Sequence, residues 1–313
     1  SGQIRIGEEI EIYPDHRRAR VKNIQAYHEN VAEATAGQRV ALNLQGIERN
    51  EIERGTIIGR PDTLMLSNRM DASFRYLKLP FKPIKTDSVL RFHIATTQEE
   101  VRLVLLTKDL IEPGEELFVQ FVFAQPIVAL PDDRYILRGS YAIQTIGGGR
   151  VLDIMPRKHK RYADYLSSTC TILSDDNWAQ KAEYHILKGG HEGVNQNLLA
   201  MVLGKHEQFV AGIINSLISQ GKVKLVGKII IHMDRFKEYK KMTSTFLADF
   251  HKKNPLKIGV SKEELRTRLP KVDPSVFQAA LDELMKDGFL EVDKDRVKIK
   301  SVARNKDKDI EAL

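Results

Sequence analysis

The sequence has one cysteine, Cys170, in 313 residues. Neither an intramolecular disulfide nor a multi-cysteine zinc site can therefore form within the chain. No apolar run approaches the ~18 residues a membrane helix needs, and Ser1-Gly2-Gln3-Ile4-Arg5 has no signal-peptide build. The expectation is a soluble, cytoplasmic chain with no membrane partner. Catalytic combinations are missing too. The nine histidines are scattered, with none at metal-ligand spacing to another or to Cys170. No Gly-x-Ser-x-Gly elbow occurs, and the Gly-Lys pairs at 204–205, 221–222 and 227–228 lack the glycine five positions earlier that a phosphate loop requires. Asn305-Lys306-Asp307-Lys308 nearly matches a guanine-reading Asn-Lys-x-Asp motif but ends on lysine within a charged tail. No catalytic residue, metal ligand or resident cofactor is expected.

What is present is an ordinary globular composition, 42% hydrophobic and 29% charged, with length for about two to four domains of ~100–200 residues. The net charge of +7 is unevenly placed: residues 1–155 hold 20 Lys+Arg against 21 Asp+Glu, and residues 156–313 hold 29 against 21. A basic C-terminal half fits a polyanionic partner such as nucleic acid, and equally a solvated lysine-rich surface.

The first 155 residues carry short period-2 runs, among them Ile10/Ile12, Val40/Leu42/Leu44, Leu90/Phe92/Ile94 and Leu117/Val119/Phe121/Phe123, the pattern of strands in barrels or sandwiches. A break near Arg60-Pro61-Asp62 divides them into β units at 1–62 and 63–155. From Pro156 the pattern becomes helical. Val210, Ile213, Ile214, Leu217 and Ile218 share one helix face, as do Phe277, Leu281, Leu284 and Met285. Each run ends at a glycine followed by strand-like residues, and Gly221 and Gly288 stand 67 positions apart, which marks an internal repeat. Tyr239, Met242, Phe246 and Phe250 mark the first helix of the second copy; Ser261-Lys-Glu-Glu264 is a capping box for the second, and Asp273-Pro274 opens the third. Three helices and a two-stranded tail are the order of a winged helix. The predicted organisation is a linker helix at 156–175, winged helices at 176–233 and 234–301, and a charged tail at 302–313. In the first tail Val223 and Leu225 are expected to face inward, with Lys222 and Lys224 outward.

Gly147-Gly148-Gly149 is the densest glycine cluster. It reads as a tight turn or bulge where a strand leaves the barrel, or as a place where a phosphate approaches closely. Glu51, Glu53 and Arg54 before Gly55 read as an exposed turn. Val40, Leu42 and Leu44 define a core face, so Arg39, Ala41 and Asn43 take the opposite face. Arg39 is then a permanent cation on the outside of the β unit.

These residues resemble a known family. Residues 1–14, the run Ala36-Gly-Gln-Arg-Val-Ala-Leu-Asn-Leu44 and Ile52-Glu-Arg-Gly55 resemble the second domain of translational GTPases. Arg134-Tyr-Ile-Leu-Arg138 followed by Thr145-Ile-Gly-Gly-Gly-Arg-Val-Leu-Asp153 is similar to the third domain of bacterial selenocysteine-specific elongation factors. The tandem winged helices, with Phe250-His-Lys-Lys-Asn-Pro255 and Gly259-Val-Ser-Lys-Glu-Glu-Leu265, are similar to the C-terminal extension of those factors. The resemblance implies a multi-domain chain of all-β barrels, part of the second domain and the whole third, followed by two tandem α/β winged-helix modules. It implies delivery of selenocysteinyl-tRNA to the ribosome, with a messenger-RNA hairpin held through winged helices mostly absent here so that UGA is read as selenocysteine. GTP and magnesium belong to a GTPase domain that the resemblance places outside these residues, so no GTP turnover is expected from them alone.

In that family pattern Arg39 stands where factors for ordinary aminoacyl-tRNAs have an uncharged amide. A selenol is a stronger acid than a thiol, whose ordinary pKa is about 8.5, so a guanidinium there favours a selenolate by Coulomb attraction. The remaining charge is read as RNA contacts on the linker, at Arg157, Lys158, Lys160 and Arg161, and on the wings, at Lys222, Lys224, Lys228, Arg296, Lys298 and Lys300. The third helices show Glu207, Gln208, Asn215 and Ser216 in one copy and Gln278, Asp282, Glu283 and Asp287 in the other, acidic or neutral faces that suit a phosphate-lined groove poorly. Two rivals remain: a winged-helix DNA-binding regulator with a β-rich sensing half, which needs basic third helices, and a translational GTPase piece for ordinary aminoacyl-tRNA, which Arg39 and the Gly147–Gly149 stretch argue against.

Overall fold

The computed structural model describes residues 2–139, 144–257 and 259–300; the tail expected at 302–313, with Asn305–Lys308, lies outside them. The chain forms two compact units, 1–176 with 201–204, and 177–200 with the residues from 205 onward.

In the first unit the N-terminal runs become β1 (Gln3–Arg5), β2 (Glu9–Tyr13), β3 (Arg17–Ala26), β4 (Glu29–Val31), β5 (Glu33–Thr35), β6 (Val40–Leu44) and β7 (Ile57–Gly59). They pair antiparallel in the order β4-β3-β2-β7, with β6 also on β3 and β1 on β5, and among the described residues they do not close. Ile10, Ile12, Val21 and Ile24 are buried, with half-buried Val40, Leu42 and Leu44 packed on them; a fully buried side chain of this size contributes about 1.5–3 kcal/mol. The buried carboxylate of Glu11 accepts from the Tyr13 hydroxyl at 2.5 Å and from the Asp62 amide at 2.7 Å, and its other oxygen lies 2.7 Å from His16 Nδ1.

The second β set comprises β8 (Leu66–Tyr76), β9 (Ile84–Lys85), β10 (Val89–Ile94), β11 (Thr97–Leu105), β12 (Leu110–Ile111), β13 (Glu116–Val128), β14 (Arg134–Arg138) and β15 (Thr145–Asp153). The order β10-β11-β13-β8-β15-β14 closes into a barrel, with β9 and β12 as a side ribbon. Its centre is aromatic: Phe92 stacks on Tyr135 at 4.8 Å and meets Phe121 and Phe123 edge-on.

Gly147, Gly148 and Gly149 are neither a turn nor an open loop. They lie within β15, paired to β14 on one side and β8 on the other. A Cβ at Gly149 would sit 1.8 Å from the Ser73 carbonyl oxygen, and one at Gly147 2.4 Å from that of Arg75. The glycines let the barrel wall close tightly.

The linker departs from expectation as well. The helix α1 spans only Tyr165–Ser174, and residues before it lie along the barrel. Nε2 of buried His159 lies 2.6 Å from Asp71 Oδ2, in hydrogen-bond contact, and Gln120 Nε2 bridges Asp71 Oδ1 and the Arg157 carbonyl at 2.7 and 3.0 Å. A histidine held this way competes with continuation of the helix.

The helical part of the chain contains α2 (Trp178–Lys188), β16 (Val194–Asn195), α3 (Gln196–Leu203), α4 (Glu207–Ser219), β17 (Val223–Val226) and β18 (Ile229–His232). The pattern repeats as α5 (Met233–Lys253), β19 (Val260–Ser261), α6 (Lys262–Arg268), α7 (Pro274–Lys286), β20 (Leu290–Asp293) and β21 (Arg296–Ile299). Ser261 Oγ accepts from the Glu264 amide and Asp273 Oδ1 from the Ser275 amide, the two caps read in the sequence. Gly221 and Gly288 take φ of +70° and +72°, the left-handed residue past each third helix.

No linker separates the two copies. α5 begins at Met233, directly after β18, and Val226 and Ile231 of the first wing join the core of the second copy with Phe236, Tyr239, Leu265 and Leu281. Val223 is buried and Lys222 exposed as expected, but the next pair of β17 is reversed. Leu225 is 51% exposed, whereas half-buried Lys224 turns inward, its Nζ 4.7 Å over the Phe236 ring.

Candidate nucleic-acid interface

The basic residues sort by whether a carboxylate already holds them. Arg161 donates to the Leu105 and Lys108 carbonyls at 2.8 and 2.6 Å and to Asp109 at 2.6 Å, which fastens the connector to the barrel. Lys222 pairs with Glu183 at 2.6 Å and Lys298 with Glu291 at 3.7 Å. Lys224 pairs with Glu283. Glu283, expected to face outward, therefore faces the first wing, where Lys240 also reaches it at 2.8 Å. Burial opposes ionisation of Glu283, yet the two ammonium groups hold its carboxyl below the usual range.

Arg39, Lys158, Lys160, Lys228, Arg296 and Lys300 are exposed, with no ion pair to another described residue. Arg157 is exposed as well. The connector residues belong to the first unit and the wing residues to the second. Arg39 precedes β6 rather than lying in it, with Ala41 and Asn43 exposed beyond it.

A denser basic site was not read from the sequence. Arg91 on β10 is the direct cross-strand partner of Arg138 on β14, and His93 lies two residues further along the same face. Arg54 joins from the loop between β6 and β7, its Nε donating to the Thr96 carbonyl at 3.3 Å. Like charges opposed at a cross-strand separation of ~5 Å destabilise a sheet. Burial, and then the charges of Arg138, Arg54 and Arg91, push the His93 imidazole below its ordinary 6.5. His93 Nε2 and Arg138 Nε are buried with no hydrogen-bond partner. Glu100, opposite Arg91 on the other ladder, forms no ion pair with it among the described residues. Three guanidinium groups, with an unpartnered Arg138 Nε–H and an unpartnered His93 ring nitrogen among them, make a site that an oxyanion would complete. The alternation of Leu90, Phe92 and Ile94 does place Arg91 and His93 outward; the pairing of β10 with β14, which brings Arg138 alongside, is tertiary information.

No group of three or more potential metal ligands occurs among the described residues, and no described helix is long and apolar enough to cross a membrane.

Three protein families match along the chain: Elongation factor Tu domain 2 at residues 1–59, Selenocysteine-specific elongation factor, beta-barrel domain, at 74–158, and Elongation factor SelB, winged helix, at 245–299. A selenocysteine-specific elongation factor of Desulfomicrobium baculatum is 27% identical, covering 94% of this chain and 47% of that protein. One of Escherichia coli (strain K12) is 24% identical, covering 92% and 44%. The chain thus spans about half the length of the curated relatives it matches. A crystal structure of bacterial selenocysteine-specific elongation factor EF-Sec shares the fold with a TM-score of 0.73 at 17% identity, over 96% of this chain and 46% of that one. Barrel, glycine-walled strand and fused winged helices thus agree with the matched families, and the chain is similar to the second-domain, β-barrel and winged-helix parts of selenocysteine-specific elongation factors.

Proposed function

We propose that this chain binds selenocysteinyl-tRNA and serves its delivery to the ribosome at UGA codons, in a cytoplasmic factor whose GTP and magnesium are bound by a domain outside these residues. The observation that carries the RNA-binding part is the uncompensated cluster of Arg54, Arg91 and Arg138 around His93. It has the chemistry to hold a phosphate oxygen of the tRNA, with exposed Arg157, Lys158, Lys160, Lys228, Arg296 and Lys300 as further backbone contacts. Arg161, Lys222, Lys224 and Lys298 spend their charge on internal carboxylates and are secondary.

Arg39 supplies the selectivity. Its exposed guanidinium attracts a selenolate and gains nothing from a neutral serine hydroxyl. A messenger hairpin is assigned to winged helices beyond these two, because the exposed third-helix residues Glu207, Gln208, Asn215, Ser216, Gln278 and Asp282 bring no positive charge to a groove. The same residues disfavour a duplex-DNA regulator. GTP turnover by this chain alone is expected to be nil.

The test is filter binding of selenocysteinyl-tRNA and seryl-tRNA to the parent and to Arg39→Ala, Arg54→Ala and Arg138→Ala. The Arg39 variant should lose affinity for selenocysteinyl-tRNA about tenfold more than for seryl-tRNA, one factor of ten being about 1.4 kcal/mol. The other two should weaken both tRNAs alike and each lower the salt slope by about one. Equal losses in the Arg39 variant sink the selectivity role.

A further inference from the structure

Phe209 lies in the first turn of α4 and is 47% exposed. One turn on, Gly212 has no heavy atom within 4 Å of where a Cβ would stand. Positions i and i+3 are neighbours on a helix surface, so the surface one turn C-terminal to Phe209 is flat and open. The Phe209 ring meets Trp178 edge-on, with centroids 6.3 Å apart. Lys205 holds its Nζ 4.0 Å over the same indole and pairs with no carboxylate of the described residues. Lys181, itself buried, approaches the indole at 4.6 Å and fixes its orientation. An exposed aromatic face with space beside it, next to a positioned ammonium with no counter-charge, is how proteins take an unstacked nucleotide: the base stacks and the cation meets its phosphate.

We propose that Phe209, Gly212 and Lys205 form a binding site for a single unstacked RNA nucleotide, with the base on Phe209 over Gly212 and its phosphate at Lys205. The site deepens the RNA-binding reading and shares only the class of partner with it, since it uses neither Arg39 nor the Arg54–Arg91–Arg138 cluster. Exposed Glu207 is the acidic neighbour on the same turn, and it limits the affinity.

Trp178 is the only tryptophan in the chain, so its fluorescence reports directly on the site. The full chain is titrated with oligoadenylate, a single-stranded RNA, and with an RNA duplex of equal length. Saturable quenching is expected with the single strand and not with the duplex. Phe209→Ala should weaken binding about tenfold, within the range measured for loss of one stacked base. Phe209→Tyr should restore it. Gly212→Leu, which fills the open surface without changing charge, should weaken it as much as Phe209→Ala. Lys205→Gln should lower the salt slope by about one, and Glu207→Gln should tighten binding. Parental affinity in Phe209→Ala or Gly212→Leu, or equal binding of the duplex, overturns the proposal. Selenocysteinyl-tRNA binding by the same variants separates the two readings: a chain that binds tRNA but not oligoadenylate sinks this site alone, and one that binds neither sinks both.

Discussion

Lys224, on the wing of the first winged helix, is ion-paired to Glu283 on the third helix of the second, and Lys240 of α5 reaches the same carboxylate at 2.8 Å. The contact lies over a shared core, because Val226 and Ile231 pack with Phe236, Leu265 and Leu281. Together these residues make one folding body of what the repeat presents as two modules.

That body should open as a unit. Native-state hydrogen exchange in the full chain is expected to give the amides of Ile231 and Leu247 one common opening free energy. Glu283→Gln, which leaves half-buried Lys224 without its carboxylate and Lys240 with Asp287 alone, should lower both by about 1–3 kcal/mol. A change confined to the second copy would argue against a shared core.

The glycines of β15 and α4 should respond in opposite ways to the same substitution. Gly149→Ala forces a methyl group to within 1.8 Å of the Ser73 carbonyl oxygen, so the barrel should lose at least about 3 kcal/mol, with insoluble expression the practical readout. Gly212→Ala meets nothing within 4 Å and should stabilise α4 by about 0.5–1 kcal/mol, seen as a higher midpoint in a thermal melt followed by circular dichroism.

Acid should act first on the N-terminal strands through Glu11. Burial raises its pKa, but the Tyr13 hydroxyl, the Asp62 amide and His16 outweigh that and hold it at about 2 against an ordinary 4.5. The unfolded chain therefore takes up a proton before the folded one does. The stabilisation from this group is complete above about pH 4.5 and lost as pH falls toward 2. Glu11→Gln should flatten this part of the stability profile, measured by denaturant unfolding from pH 5 to pH 2.

The connector should be released by removing one imidazole. Burial pushes the Asp71 carboxyl up, and the His159 contact opposes that shift. His159→Ala leaves Asp71 buried without this partner, a cost of about 1–3 kcal/mol, and loosens the chain around Lys158 and Lys160, while Arg161 keeps its bonds to Leu105, Lys108 and Asp109. Limited trypsin digestion should then cut at Lys158 and Lys160 several times faster than in the parent, while Lys158→Ala, which touches neither group, should leave cutting at Lys160 unchanged.

The period-2 runs, the 67-residue glycine repeat and the caps at Ser261 and Asp273 were legible in the sequence because each depends on neighbours within a few residues. So were Val210 and Leu217 as core positions and Arg39 as an exposed cation. The faces of Lys224 and Leu225 were read in reverse. Alternation identifies two faces of a strand without saying that a second module covers one of them, and here the covered face carries the lysine. The start of the linker helix was misplaced for a related reason: His159 answers to Asp71, 88 positions away.

The sequence by itself determined the kind of most elements and their order, since local periodicity and capping chemistry are properties of the chain. Tertiary structure decided which charges remain available. A cation on a wing or connector is neutralised or left unpaired according to what the fold places within ~4 Å of it, and Coulomb energy varies with that separation rather than with distance along the chain. Arg161 and Lys224 are thereby committed to the protein's own carboxylates, while Arg54, Arg91 and Arg138, unremarkable in sequence, are drawn into a cluster that lacks its anion.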